Sequence, residues 1–298
     1  MNTHGAPDRV KVVEVGPRDG LQNEPRVVDT PTKIAFIDRL SATGLTAIEV
    51  TSFVHPTSIP QLADAEEVVR GITRRAGVTY FALVPNLRGL ERALSVGMDA
   101  IAVFTAASET FNQRNIHCGI EESLIRFTPV LARAKSLGIE VRGYISCALG
   151  CPYEGAIKPQ QVASLAERLY AMGCAEISLG DTIGVGTPLQ AQTLVKTVAA
   201  VIPIERLALH FHDTHGRALA NIRACLKLGV SIIDASVAGL GGCPYAPGAP
   251  GNVATEAVVA MLEDMGLATG IDLDKLGEAG RFIKENGKWG STTLNRGE

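Results

Sequence analysis

Short runs of Val, Ile, Leu and Phe recur along the chain, separated by longer stretches in which apolar residues return every three or four positions. Eight runs predict buried strands: Val10–Val15, Ala47–Phe53, Val78–Val84, Ala100–Thr105, Glu140–Ser146, Ala175–Leu179, Leu207–Phe211 and Ser231–Val237. Apart from the first two they do not alternate cleanly, as expected of parallel strands covered on both faces. Helical spacing predicts helices over Pro31–Thr43, Ile120–Leu137, Pro159–Met172, Pro188–Val201 and Arg217–Leu228. Pro31, Pro159 and Pro188 suit a first helical turn, where a missing N–H is harmless. Gly44, Gly138, Gly173 and Gly229 fall just past helix ends.

Successive strands are about 20 to 40 residues apart, the length of a βα repeat. Eight repeats predict an α/β fold of the (β/α)8 barrel type rather than an open doubly wound sheet. No GxGxxG follows the first strand, which also counts against a dinucleotide fold. A helix near Val253–Met265 and a C-terminal helical extension near residues 272–286 complete one expected domain, its barrel spanning about 10–265.

The 298 residues carry a net charge of −3 and are 46% hydrophobic. Such a balance gives no electrostatic case for nucleic acid. No run of about 18 apolar residues predicts a membrane span. Six scattered cysteines read as reduced thiols. With a polar N-terminal arm that lacks an apolar signal core, they lead us to expect a cytoplasmic protein.

Chemistry in such barrels sits where the strands end. The first strand runs into Gly16-Pro17-Arg18-Asp19-Gly20, the second carries Glu49, the sixth ends at Asp181, and the seventh carries His210-Phe211-His212. Residues two apart on a strand share a face, so both imidazoles can reach one metal ion. A hydrogen-bonded pair without metal is the plainer alternative. Asp19 and Asn252 add oxygen donors, and two histidines with two oxygens suit Mg2+ or Mn2+ better than a thiolate-rich zinc site. Arg18 beside Asp19 reads either as a surface ion pair or as a cation aimed at a developing oxyanion. Glu49 and Asp181 read as supporting hydrogen-bond acceptors or as proton-transfer groups. Gly239–Gly251 is rich in glycine and proline, a flexible loop by composition. Its Cys243 reads as a structural thiol or a reactive one.

These stretches resemble the 3-hydroxy-3-methylglutaryl-CoA lyase family, among metal-dependent barrel lyases of the TIM type. The matching segments are Val15–Glu24, Glu49–Phe53, Ile177–Gly186, His210–Thr214 and Gly239–Ala246, and the likeness runs over roughly residues 10 to 287. The resemblance implies Asp19, His210, His212 and Asn252 as ligands of a divalent cation. It implies Arg18, Glu49, Asp181, His210 and Cys243 as catalytic residues, with Arg18 on the enolate and Cys243 as its proton donor. Asp181, through His210 or a water, is the expected acceptor of the hydroxyl proton. Glu256, one helical turn beyond Asn252, is expected to support the ligands.

The implied reaction is retro-Claisen cleavage of 3-hydroxy-3-methylglutaryl-CoA to acetyl-CoA and acetoacetate, as in leucine degradation. The partner is an acyl-CoA thioester, with a homodimer as the assembly allowed for. Rival readings are a lyase for a longer branched 3-hydroxyglutaryl-CoA, a Claisen-condensing synthase, and a zinc hydrolase. Synthases of that kind usually carry a regulatory region for which this chain has no room. In the hydrolase barrels His-x-His sits on the first strand.

Overall fold

The computed structural model describes residues 7–242 and 251–287. Eight strands, β1 (Lys11–Glu14), β2 (Ala47–Ser52), β3 (Thr79–Leu83), β4 (Ala100–Ala106), β5 (Glu140–Ser146), β6 (Glu176–Asp181), β7 (Leu207–Phe211) and β8 (Ile232–Ala235), close into an all-parallel barrel in sequence order. This is the (β/α)8 architecture expected. The helices are α1 (Thr30–Ser41), α2 (Ala65–Gly71), α3 (Leu87–Ser95), α4 (Glu109–Ile116), α5 (Ile120–Ser136), α6 (Pro159–Ala171), α7 (Pro188–Ala199), α8 (Ala218–Leu226), α9 (Thr255–Asp264) and α10 (Leu273–Asn286).

Helices α2, α3 and α4 were not among the sequence expectations. Each has nine residues or fewer, too short for a helical period to repeat convincingly. Caps define α3 and α4: Asn86 accepts from the Gly89 N–H and Ser108 from the Phe111 N–H. The terminal α10 packs against α1 and α9, tying the end of the chain to its beginning.

One expectation needs correction. Several strands do alternate, with polar residues turned toward the barrel axis and apolar ones toward the helices. On β5, Val141 and Ile145 join the large core beneath the helices, whereas Tyr144 joins a small inner cluster with Val13, Phe81 and Ala208. Arg142 shares that inner face, meeting Asp234 of β8 across the interior. On β6, Ile177 and Leu179 face outward while Ser178 reaches Asp234. The barrel axis is therefore polar over part of its length, and buried charges there are paired.

Candidate metal centre and active site

The site begins where β1 stops. Residues Gly16–Gly20 form a single π-helical turn in which the N–H groups of Arg18, Asp19 and Gly20 all point at the Val15 carbonyl, at 3.2, 2.8 and 3.2 Å. One-turn π structures of this kind are frequent at functional sites. Gly16 is needed there, since a Cβ would stand 2.6 Å from Glu14 Oε1. The turn carries Arg18 and Asp19 over the mouth of the barrel.

Arg18 is only 6% exposed, so it is no surface ion pair. Its Nη1 donates to Asp19 Oδ1 at 2.6 Å and its Nη2 meets Glu49 Oε2 at 2.8 Å. Tyr144 donates its hydroxyl to the same Glu49 oxygen at 3.0 Å, and the guanidinium lies 5.4 Å from the Tyr144 ring centroid. Arg18 Nε–H is buried with no acceptor among the described residues. A guanidinium has five N–H donors, and this one keeps donors for a further anion. Burial pushes Glu49 upward, and Arg18 only partly offsets it.

Asp19, His210 and His212 each offer one ligand atom, and these atoms lie within 4.8 Å of one another. The two rings stand 5.5 Å apart by centroid, and His210 Nε2 is 3.7 Å from Asp19 Oδ2. Burial works against ionised Asp19, but Arg18 and the two histidines outweigh it and hold the carboxyl far below its ordinary range. Burial, helped by His210, lowers His212 to about 4. A carboxylate beside a neutral imidazole is the protonation state a cation requires. His212 Nδ1 is buried without a partner among the described residues. The donor set thus fits a hard or borderline divalent cation.

Asn252 reaches the cluster through an isolated bridge with His212, backed by the Asp213 N–H donating to the Gly251 carbonyl at 2.7 Å. Its amide nitrogen donates to Asp19 Oδ2 at 2.7 Å and to the Leu240 carbonyl at 3.3 Å. The amide therefore faces Asp19 with its nitrogen, and ligation through oxygen calls for the same amide turned over.

Other expected residues fall differently. Asp181 is fully buried, and its oxygens accept from the Val185 and Gly186 N–H groups at 3.2 and 2.9 Å. It shapes the turn after β6, and burial raises its pKa against those backbone donors. Its carboxylate makes no hydrogen bond with His210. Glu256 accepts from the Ala238 N–H through both oxygens, at 3.0 and 2.9 Å, so it holds the turn after β8 and does not touch the ligand atoms. Cys243 lies outside the described residues.

Sequence reasoning overlooked a second tier. Asp234 of β8 meets His210 Nδ1 at 3.2 Å, Arg142 Nη2 at 2.5 Å and Ser178 Oγ at 2.8 Å. Burial disfavours its charge, but Arg142, His210 and Ser178 outweigh this and lower its pKa. Glu14 was also missed. It joins the Gly16 and Val237 N–H groups to the Thr255 hydroxyl, at 2.8, 2.9 and 2.7 Å. The available signal was a charged residue inside an otherwise apolar strand, as in Ile232-Ile233-Asp234-Ala235.

The HMGL-like family model matches residues 9–283. The chain belongs to the HMGL-like family. A Rattus norvegicus protein named 3-hydroxy-3-methylglutaryl-CoA lyase, cytoplasmic, is 58% identical over 279 residues, covering 94% of this chain and 81% of that one. The crystal structure of hydroxymethylglutaryl-CoA lyase from Pseudomonas aeruginosa superposes with a TM-score of 0.92 at 56% identity, covering 94% and 93% of the two chains. An HMG-CoA lyase from Acinetobacter baumannii, solved with coenzyme A and 3-methylmalate, superposes with a TM-score of 0.89 at 41% identity, covering 94% and 91%. No helix among the described residues is long and apolar enough to cross a membrane.

Proposed function

We propose that this HMGL-like chain is a carbon–carbon lyase that cleaves 3-hydroxy-3-methylglutaryl-CoA into acetyl-CoA and acetoacetate, within one catalytic domain. The observation that carries the reading is the buried Arg18 guanidinium, with unfilled donors, set directly beside the Asp19–His210–His212 cluster. A hydroxyl that must lose a proton and a carbonyl that must become an enolate need these two devices side by side.

Asp19, His210, His212 and Asn252 would hold a divalent cation, Mg2+ or Mn2+. When bound, such an ion acidifies a coordinated alcohol and orients its neighbours. Arg18 donates to the thioester oxygen as negative charge develops there, from a buried position. Glu49 and Tyr144 keep Arg18 in place. Asp181, buried and raised in pKa, is the proposed acceptor of the tertiary hydroxyl proton, reached through a water. As that proton leaves, the bond between the carbinol carbon and the thioester methylene breaks. Acetoacetate departs as the ketone, and the acetyl-CoA enolate takes one proton at carbon, for which Cys243 is the proposed donor. The cytoplasm and leucine degradation are the setting we propose.

A small acyl group is favoured over a longer branched one. The cavity beside Arg18 and His210 holds about 40 Å3, with Phe104 and Tyr144 among its lining residues. The test is acetoacetate release from a series of 3-hydroxyglutaryl-CoA thioesters with lengthening 3-alkyl groups, with and without Mg2+ or Mn2+. Rates should be highest for the methyl compound and require the metal. Equal rates for long branches would transfer the assignment to the alternative lyase, and metal-independent release would remove the cation from the mechanism.

A further inference from the structure

An imidazole ligand binds through one nitrogen only, and the hydrogen bond made by the other decides which. His210 Nδ1 is directed at Asp234 Oδ2, 3.2 Å away. Its Nε2 points the opposite way, 3.7 Å from Asp19 Oδ2. Asp234 has no freedom to turn: Oδ1 takes the Arg142 guanidinium and Oδ2 takes the Ser178 hydroxyl. Arg142 is itself anchored, its Nε standing 3.1 Å from Glu176 Oε1, while Lys11 at the rim holds the other oxygen of Glu176 at 3.1 Å. A charged chain thus runs inside the barrel from its lower rim to a candidate ligand.

We propose that Asp234, clamped by Arg142 and Ser178, is a positioning residue that keeps the proton of His210 on Nδ1 and so presents Nε2 to the cation. A carboxylate accepts and never donates, so an acceptor fixed in that place selects one tautomer. The inference rests on reading Asp19, His210 and His212 as ligands.

Two measurements test it. The first is long-range 1H–15N correlation of the metal-free wild-type protein, with His210 assigned by loss of its signals in a His210→Gln variant. A proton on Nδ1 is expected; a neutral ring with its proton on Nε2 overturns the proposal. The second is Mn2+ titration followed by the paramagnetic signal of the free ion, alongside thermal unfolding. Asp234→Asn keeps the shape but offers an NH2 to Nδ1, and should weaken Mn2+ binding by about 10–100-fold. Ser178→Ala, which only loosens the clamp, should weaken it by a smaller factor. Wild-type affinity in a folded Asp234→Asn protein overturns the proposal while leaving the metal site intact. Should Asp234→Asn not fold, unchanged affinity in Ser178→Ala together with a proton on Nε2 in the wild type overturns it equally. A wild-type protein that binds no Mn2+ overturns the metal reading as well, so the two failures are distinct.

Discussion

Glu49 Oε2 lies 2.8 Å from Arg18 Nη2, and Glu49 is completely buried. Breaking such a pair from one side leaves a desolvated charge without compensation, at a cost of about 3–5 kcal/mol. Glu49→Ala should therefore lower unfolding stability by roughly that amount, read from denaturant curves. Glu49→Gln, which keeps an acceptor for Arg18 and Tyr144, should lose much less. Arg18→Gln should cut turnover by about 100- to 1000-fold, the scale of losing one oxyanion donor, and still bind metal. Retained turnover in Arg18→Gln removes the enolate role from it.

The ligand atoms of Asp19, His210 and His212 converge within 4.8 Å. His210→Ala and His212→Ala should each weaken Mn2+ binding at least about tenfold, ~1.4 kcal/mol, in calorimetric titration. Asn252→Ala should have a smaller effect, because its amide now spends its nitrogen on Asp19 and Leu240. An unchanged Kd in either histidine variant takes that residue out of the ligand set.

The order of reactive groups along the chain was legible because barrel strands all end on one face. Gly16–Gly20 and His210–His212 announced themselves by position and by the period of two. What stayed hidden lies in contacts across the barrel. Arg142 and Asp234 are 92 residues apart, and although a charge inside an apolar strand marks Asp234, nothing local names its partner. Asp181 illustrates the opposite limit. Its place at a strand end was readable, whereas its engagement with the Val185 and Gly186 amides depends on a turn geometry that composition does not specify. Strands covered on both faces are expected to be apolar throughout, whereas β5 places Arg142 inside and Val141 and Ile145 outside, which inverts the usual reading of a half-buried strand.

Gly251 precedes Asn252, and a Cβ there would stand 1.9 Å from the Gly241 carbonyl oxygen. Both are backbone positions, so neither yields as a flexible side chain would. Gly251→Ala should push the two segments apart, costing about 1–3 kcal/mol as overpacking does, and carry Asn252 away from Asp19. We expect reduced Mn2+ affinity together with a lowered unfolding midpoint. A fully stable Gly251→Ala with normal affinity would show that the close approach is dispensable.

Glu14 connects the turn bearing Arg18 and Asp19 to the segments holding Val237 and Thr255. Burial pushes its pKa up to about 8, against the Thr255, Val237 and Gly16 donors that pull it down. The folded state thus retains a proton that the unfolded chain has lost above the ordinary glutamate value. Between those limits the folded state binds more protons, so stability falls as pH rises. The decline begins near the unfolded value of 4.5 and ends near 8, with a slope of up to ~1.4 kcal/mol per pH unit. Glu14→Gln imitates the protonated acid: its oxygen can accept from Gly16 and Val237, and its NH2 can donate to Thr255. The variant should match the wild type near pH 4.5 and become progressively more stable relative to it toward pH 8. Urea unfolding at four pH values across that window measures the difference directly. A stability difference independent of pH would mean that Glu14 is already ionised in the fold, its three donors outweighing burial.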